Sequence, residues 1–161
     1  MPDRYETDAP TAWDLANRPG FLIRRLHQIH LAMFAEECGA FNITPVQFSI
    51  MSVAAAQPGL EQARLGYEVG VDRTTLANVV ARLESRSLLA RTAGAADRRV
   101  KHVSLTPDGL DLLARIEAPA RQAHERTVEA LPEAEREMFL RALARLVEAG
   151  NTYGRAPLRL G

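Results

Sequence analysis

The chain has 161 residues, enough for one domain with a substantial core and too few for two large ones. Hydrophobic residues make up 47% and charged residues 25%, the balance of a soluble globular protein, and an aromatic share of only 6% favours helix over sheet. Basic and acidic residues number 20 each, so global charge singles out no nucleic acid. No run approaches the roughly 18 apolar residues of a membrane span, and the stretch around Asp3, Arg4 and Glu6 lacks an apolar signal core, so a cytoplasmic protein is expected.

Residues 1–11 mix Pro2, Asp3, Asp8 and Pro10 with little to bury and read as a flexible arm. A short helical turn is expected around Trp13 to Leu15. Pro19 suits the first position of a helix, where its missing N–H would be unpaired anyway. That helix is expected over residues 19–38, with Leu22, Leu26, Ile29, Met33 and Phe34 as its apolar stripe and Gly39 as its stop. Thr44 and Pro45 repeat the cap-then-proline start and open a helix over residues 45–56, whose spacing is set by Phe48, Met51, Ser52 and Ala55. A third helix is expected over residues 60–69, ending at Gly70. Its partner starts at Asp72 after a tight corner, which is a helix-turn-helix arrangement.

The stretch 71–106 reads as a helix, a hairpin and the start of another helix. Asp72 caps the first, because its carboxylate accepts from the free N–H groups of Thr74 or Thr75. Leu76, Val79, Val80 and Leu83 give one buried face. The opposite face carries Arg73, Thr75, Asn78, Arg82 and Arg86, a surface of donors with no acid before Glu84. Residues 88–92 and 100–105 are strands around a turn containing Gly94, with Asp97, Arg98 and Arg99 near the tip. Local charge agrees: from Glu61 to Lys101 eight basic residues face five acidic ones. This is a winged helix-turn-helix pattern.

Thr106 and Pro107 start a long helix over residues 107–130, where Pro119 should cause a bend or a break, since an interior proline costs about 3 kcal/mol. A last helix over residues 132–150 carries Phe139, Ala142, Leu143, Leu146 and Val147, and residues 151–161 read as a loose tail. The expected organisation is therefore an arm (1–11), a helical dimerisation region (12–43 and 107–150), a winged helix-turn-helix lobe (44–106) and the tail. The end helices hold more apolar surface than the small lobe covers, so a two-fold homodimer is expected. The helix after the wing spans roughly 36 Å, enough to hold two reading helices the required ~34 Å apart.

Together, Thr44-Pro45-Val46-Gln47-Phe48, Asp72-Arg73-Thr74-Thr75-Leu76, the run from Arg82 to Leu89, Asp97-Arg98-Arg99 and the run from Val103 to Gly109 resemble the MarR family of bacterial transcriptional regulators. The resemblance spans residues 19–150. It implies a mainly α-helical fold with a small β-hairpin wing, a homodimer on a palindromic double-stranded DNA operator, and a repressor that leaves the operator when a small effector binds. Carried over by position, DNA contacts fall on Arg73, Thr74, Thr75 and Asn78 of the reading helix, with Arg82 meeting phosphate or the fold itself. On the wing they fall on Asp97, Arg98 and Arg99. The chemistry agrees: arginine pairs with guanine, asparagine with adenine, and an arginine suits a narrow minor groove. The tip departs from the family pattern, since Ala93-Gly94-Ala95-Ala96 replaces more polar residues.

The resemblance also implies an effector, an aromatic acid or phenol, lodged between the dimer helices and the lobe. In this chain that cleft would draw on Arg24, Arg25, His27, His30, Leu31 and Phe34 of one helix, Phe48 and Met51 of the next, and Trp13 as a lid. Aromatic rings stack on such a ligand and a cation pairs with its carboxylate. The sequence around Arg24 resembles relatives that repress aromatic or nicotinate breakdown.

Three other readings are open. A thiol sensor would use Cys38, the single cysteine, but Glu36, Glu37 and the helix end oppose thiolate formation there. A metal sensor would use His27 and His30, without the tight donor set zinc requires. A helical interaction module would need no DNA surface at all. No nucleophile elbow, phosphate loop or metal motif supplies catalytic chemistry, so no enzyme and no cofactor are expected.

Overall fold

The computed structural model describes residues 12–154 and 156, with side chains from residue 14 onward. The expected arm, the Trp13 side chain expected as a lid and most of the tail lie outside what is described. The helices are α1 (Ala12–Ala16), α2 (Pro19–Cys38), α3 (Pro45–Ala56), α4 (Gln62–Val69), α5 (Arg73–Ser85), α6 (Pro107–Val128) and α7 (Glu133–Gly150). The strands are β1 (Leu60–Glu61), β2 (Leu89–Ala93) and β3 (Lys101–Leu105), and short 3-10 turns follow α2 and α7.

Helix starts follow the local chemistry. Thr44 and Gln47 form a reciprocal capping box: Thr44 Oγ1 accepts from the Gln47 N–H at 3.3 Å, and Gln47 Oε1 accepts from the Thr44 N–H at 3.0 Å. Asp72 Oδ1 accepts from both Thr74 and Thr75 N–H groups, at 3.1 and 3.0 Å. Thr106 Oγ1 accepts from the Gly109 N–H at 3.0 Å and donates to the Ser87 carbonyl at 2.6 Å, which ties the start of α6 to the end of α5. Between α4 and α5, Gly70 sits at φ +65°, the left-handed conformation that a side chain would resist.

The sheet is antiparallel in the order β1-β3-β2, with Leu89 opposite Leu105 and Leu60 opposite Val103. Here one expectation changes: Leu60 and Glu61 join the sheet and α4 begins at Gln62, so the helix does not cover residues 60–69. A two-residue strand shows no alternation of its own. It exists because β3 offers a free edge, so its cause lies far along the chain.

Leu65, Leu76, Val80, Leu83, Leu89 and Val103 close the core of the lobe together with Ile50 and Met51 of α3, and Phe34, Cys38, Ile116, Ala120 and Ala123 extend it between α2 and α6. The helical assignment of α6 passes unbroken through Pro119, so the expected break does not occur. Ile116, Ala120 and Ala123 are fully buried on either side of the proline, and Arg126 pairs with both Glu36 and Glu37 of α2, at 2.8 and 2.6 Å. These contacts hold the helix together against the lost hydrogen bond.

The first and last long helices are different. No side chain of α7 is buried, and Met138, Leu140 and Leu146 are 56%, 56% and 64% exposed. On α2, Leu22, Ile23 and Ile29 stand similarly open. Among the described residues no helix is long and apolar enough to cross a membrane.

Candidate nucleic-acid interface and ligand cavity

The capped start of α5 fixes a row of exposed polar side chains: Arg73, Thr74, Thr75, Asn78 and Arg82. Arg73, Asn78 and Arg82 make no side-chain hydrogen bond among the described residues, so their donors remain available. Thr75 differs: its hydroxyl donates to Asp72 Oδ2 at 2.7 Å, leaving only its methyl group and lone pairs to face outward. Arg86 is also committed, donating to the carbonyls of Asn42 at 2.6 Å and Phe41 at 3.1 Å. It belongs to the fold. Glu84, the one acid on this helix, pairs with Arg91 of β2, and that arginine holds its carboxyl below the usual range.

On the wing, Arg99 grips Asp97 with two donors: Nε lies 3.1 and 3.2 Å from the two carboxylate oxygens, and Nη2 lies 3.0 Å from Oδ2. The Arg99 N–H also donates to Asp97 Oδ1 at 2.9 Å. The pairing lowers the Asp97 pKa, and the arginine that it orients is 91% exposed. Arg98 is exposed beside it. Arg99 and Arg73 line one cleft of about 570 Å³ between α4, the start of α5 and the wing. Arg73, Arg99 and Lys101, from distant parts of the sequence, thus share one groove with the carboxylates of Glu61 and Asp72, a net positive lining of the sign that attracts a polyanion.

A second cavity, about 820 Å³, opens between α2, α6 and α7. Leu22, Ile23, Leu26, Phe139 and Leu143 form its apolar wall, while His27, His30, His124 and Thr127 supply polar groups. Among the expected effector residues, His27 lies here, together with Arg25 and His30 of the same helix. The other candidates with described side chains do not line it. Phe34 and Met51 are 1% and 0% exposed and belong to the core, where Phe48 packs against Phe34 with ring centroids 6.1 Å apart. Arg24 lies over the Phe21 ring at 5.3 Å, and Leu31 does not line the cavity. The reason is geometric: α2 has two apolar stripes, one facing the lobe and one facing α7, and periodicity alone does not tell them apart.

His30 Nδ1 lies 2.9 Å from Thr127 Oγ1, and its ring stacks on His124 at 4.8 Å and 27°. Burial lowers the His30 pKa, and the neighbouring His124 and His27 lower it further. His124 was not among the sequence candidates; it comes from α6 and carries no local signal. Cys38 is fully buried, and burial together with Glu37 raises its pKa, the opposite of a sensing thiol. Glu36 and Glu37 are taken by Arg126, and no group of three or more His, Cys, Asp or Glu among the described residues is arranged to hold a metal.

The sequence model of the MarR family matches residues 43–101, which span α3 to the start of β3. The chain is 31% identical to the transcriptional regulator HosA of Escherichia coli, over 83% of this chain and 97% of HosA. Among solved structures it is similar to the PcaV regulator of Streptomyces coelicolor in complex with its natural ligand, with a TM-score of 0.79 and 31% identity over 88% of this chain and 99% of PcaV. It is also similar to BpsR of Bordetella bronchiseptica, whose DNA binding is regulated by 6-hydroxynicotinic acid. That TM-score is 0.80, with 29% identity over 87% of this chain and 99% of BpsR. Fold, reading helix and wing agree with these relationships: the chain belongs to the MarR family of transcriptional regulators.

Proposed function

We propose that the protein is a homodimeric repressor that grips a palindromic operator and leaves it when a small aromatic acid or phenol binds. Residues 44–106 form the DNA-binding lobe, and residues 12–43 and 107–150 the dimerisation region. α5 enters the major groove, where Arg73 and Asn78 read base edges, Thr74 and Arg82 meet phosphate, and Thr75 offers its methyl group to a thymine. Arg99 enters the minor groove with Asp97 holding its rotamer, and Arg98 meets the backbone beside it.

The observation that carries this reading is the Asp97–Arg99 pair, an oriented and almost fully exposed guanidinium that shares a cleft with Arg73. The uncovered apolar faces of α2 and α7 support the dimer, since a second copy is the simplest cover for them. The polar end of the cavity, at His27, His30 and Thr127, supports an effector there, while its apolar end at Leu22, Ile23 and Leu140 belongs to the face that the partner copy covers; the complex of PcaV with its natural ligand and the regulation of BpsR's DNA binding by 6-hydroxynicotinic acid support the release mechanism.

Fluorescence anisotropy on the protein's own upstream intergenic DNA tests the proposal. Saturable binding that resists nonspecific competitor, and that a member of an aromatic-acid panel reverses, is expected. Binding insensitive to sequence would favour a helical interaction module. A panel with no member that reverses binding would remove the effector.

A further inference from the structure

We infer that Gly94 is a positioning residue for DNA recognition: the Asp97 carbonyl occupies the space where a side chain at Gly94 would stand, and this close approach fixes how the Asp97–Arg99 pair projects from the wing. The inference rests on the proposal that Arg99 enters the minor groove, and it adds what aims that arginine relative to α5.

Gly94 directly follows β2 and is buried, whereas the other residues of 92–99 are exposed apart from the half-buried Asp97. Its backbone does not explain the glycine. The glycines at positive φ are Gly59 and Gly70, so the conformation of Gly94 itself would accept an alanine. The space around it would not. A Cβ on Gly94 would stand 2.8 Å from the Asp97 carbonyl oxygen, 3.3 Å from His102 Nε2 and 3.4 Å from Val100 Cβ. At the first of these distances one partner must move.

Val100 and His102 are pinned from behind. The Gly94 N–H donates to the Val100 carbonyl at 2.9 Å, which closes the hairpin, and His102 Nδ1 donates to the Gly59 carbonyl at 3.0 Å, which holds the ring against the segment before β1. Asp97 stands on the loop itself, where its carbonyl accepts only from the Val100 N–H, at 3.1 Å. Asp97 is therefore the group that yields, and ordinary contact requires a retreat of roughly half an ångström or more. The carboxylate of the same residue holds Arg99 through its N–H at 2.9 Å and through Nε and Nη2. A shift of the Asp97 backbone is carried to the guanidinium, and about 0.5 Å is the tolerance within which a binding group must be held. None of the three neighbours of Gly94 belongs to α5, so the major-groove contacts keep their places.

Fluorescence anisotropy and hydroxyl-radical footprinting of the full chain on its own upstream intergenic DNA, with a thermal melt of each variant, test this. Gly94→Ala should weaken binding about three- to tenfold, by no more than Arg99→Ala does. It should thin the flanking minor-groove protection while the half-site cores and the melting temperature stay as in wild type. Gly94→Ser, which places the same Cβ, should behave alike. In the double variant Gly94→Ala with Arg99→Ala the two losses should not add, because both remove one contact. Wild-type affinity in Gly94→Ala, losses that add in full, or loss of the half-site cores together with a lower melting temperature would overturn the inference while leaving Arg99 in the minor groove. If Arg99→Ala itself leaves affinity and footprint unchanged, the proposal for Arg99 fails and this inference falls with it.

Discussion

Arg99 and Arg86 are the same residue type in the same lobe, and their surroundings give them opposite tasks. Arg86 spends its donors on two backbone carbonyls, whereas Arg99 is held by a carboxylate at the molecule's edge and stays 91% exposed. Arg99→Ala should therefore weaken operator binding and leave the melting temperature unchanged, while Arg86→Ala should lower stability by about 1 kcal/mol. Paired operator titrations and thermal melts distinguish them. Asn78→Ala should cost about 1–3 kcal/mol of binding at one base position, read by titrating single-base operator variants. His30 supplies a pH signature. Its folded pKa is lowered, so below the unfolded value of about 6.5 the unfolded chain binds more protons, and stability falls as pH drops through that range toward the folded pKa. Thermal melts between pH 8 and 5 should show a flatter profile for His30→Gln than for wild type. The sequence made Asp97, Arg99 and the donors of α5 legible, because each sits in a short motif. It did not reveal Arg86's partners or His124, whose contacts join residues that are far apart in the chain.

At the scale of elements, the clearest constraint is where α6 meets the end of α5. A Cβ on Gly109 would stand 2.0 Å from the Leu88 carbonyl oxygen, which has no room to yield because it accepts from the Thr106 N–H at 3.2 Å. Gly109→Ala should destabilise the fold by about 1–3 kcal/mol, seen as a lower denaturant midpoint. The elements that were legible carry their own start signals: Thr44 with Gln47, Asp72, and Thr106 with Pro107. β1 was hidden because two residues have no period. The packing of the expected effector residues was hidden for a related reason. The spacing of Phe34 and Met51 shows that they are covered, and only the packed structure shows that the core covers them.

For the whole molecule, α7 decides the question. Its open apolar face, together with that of α2, leaves apolar surface that the single chain does not cover, and in the proposed dimer joining two copies there would also set the distance between their reading helices. α6, with 22 residues, spans roughly 33 Å, close to the ~34 Å between successive major grooves on one side of duplex DNA. Hydroxyl-radical footprinting with stoichiometry by analytical ultracentrifugation measures this directly. The account predicts two protomers per operator, protection of two half-sites one helical turn apart, and loss of the flanking minor-groove protection in Arg99→Ala. A single protomer bound to one half-site, or a footprint unchanged by removing that arginine, would contradict it.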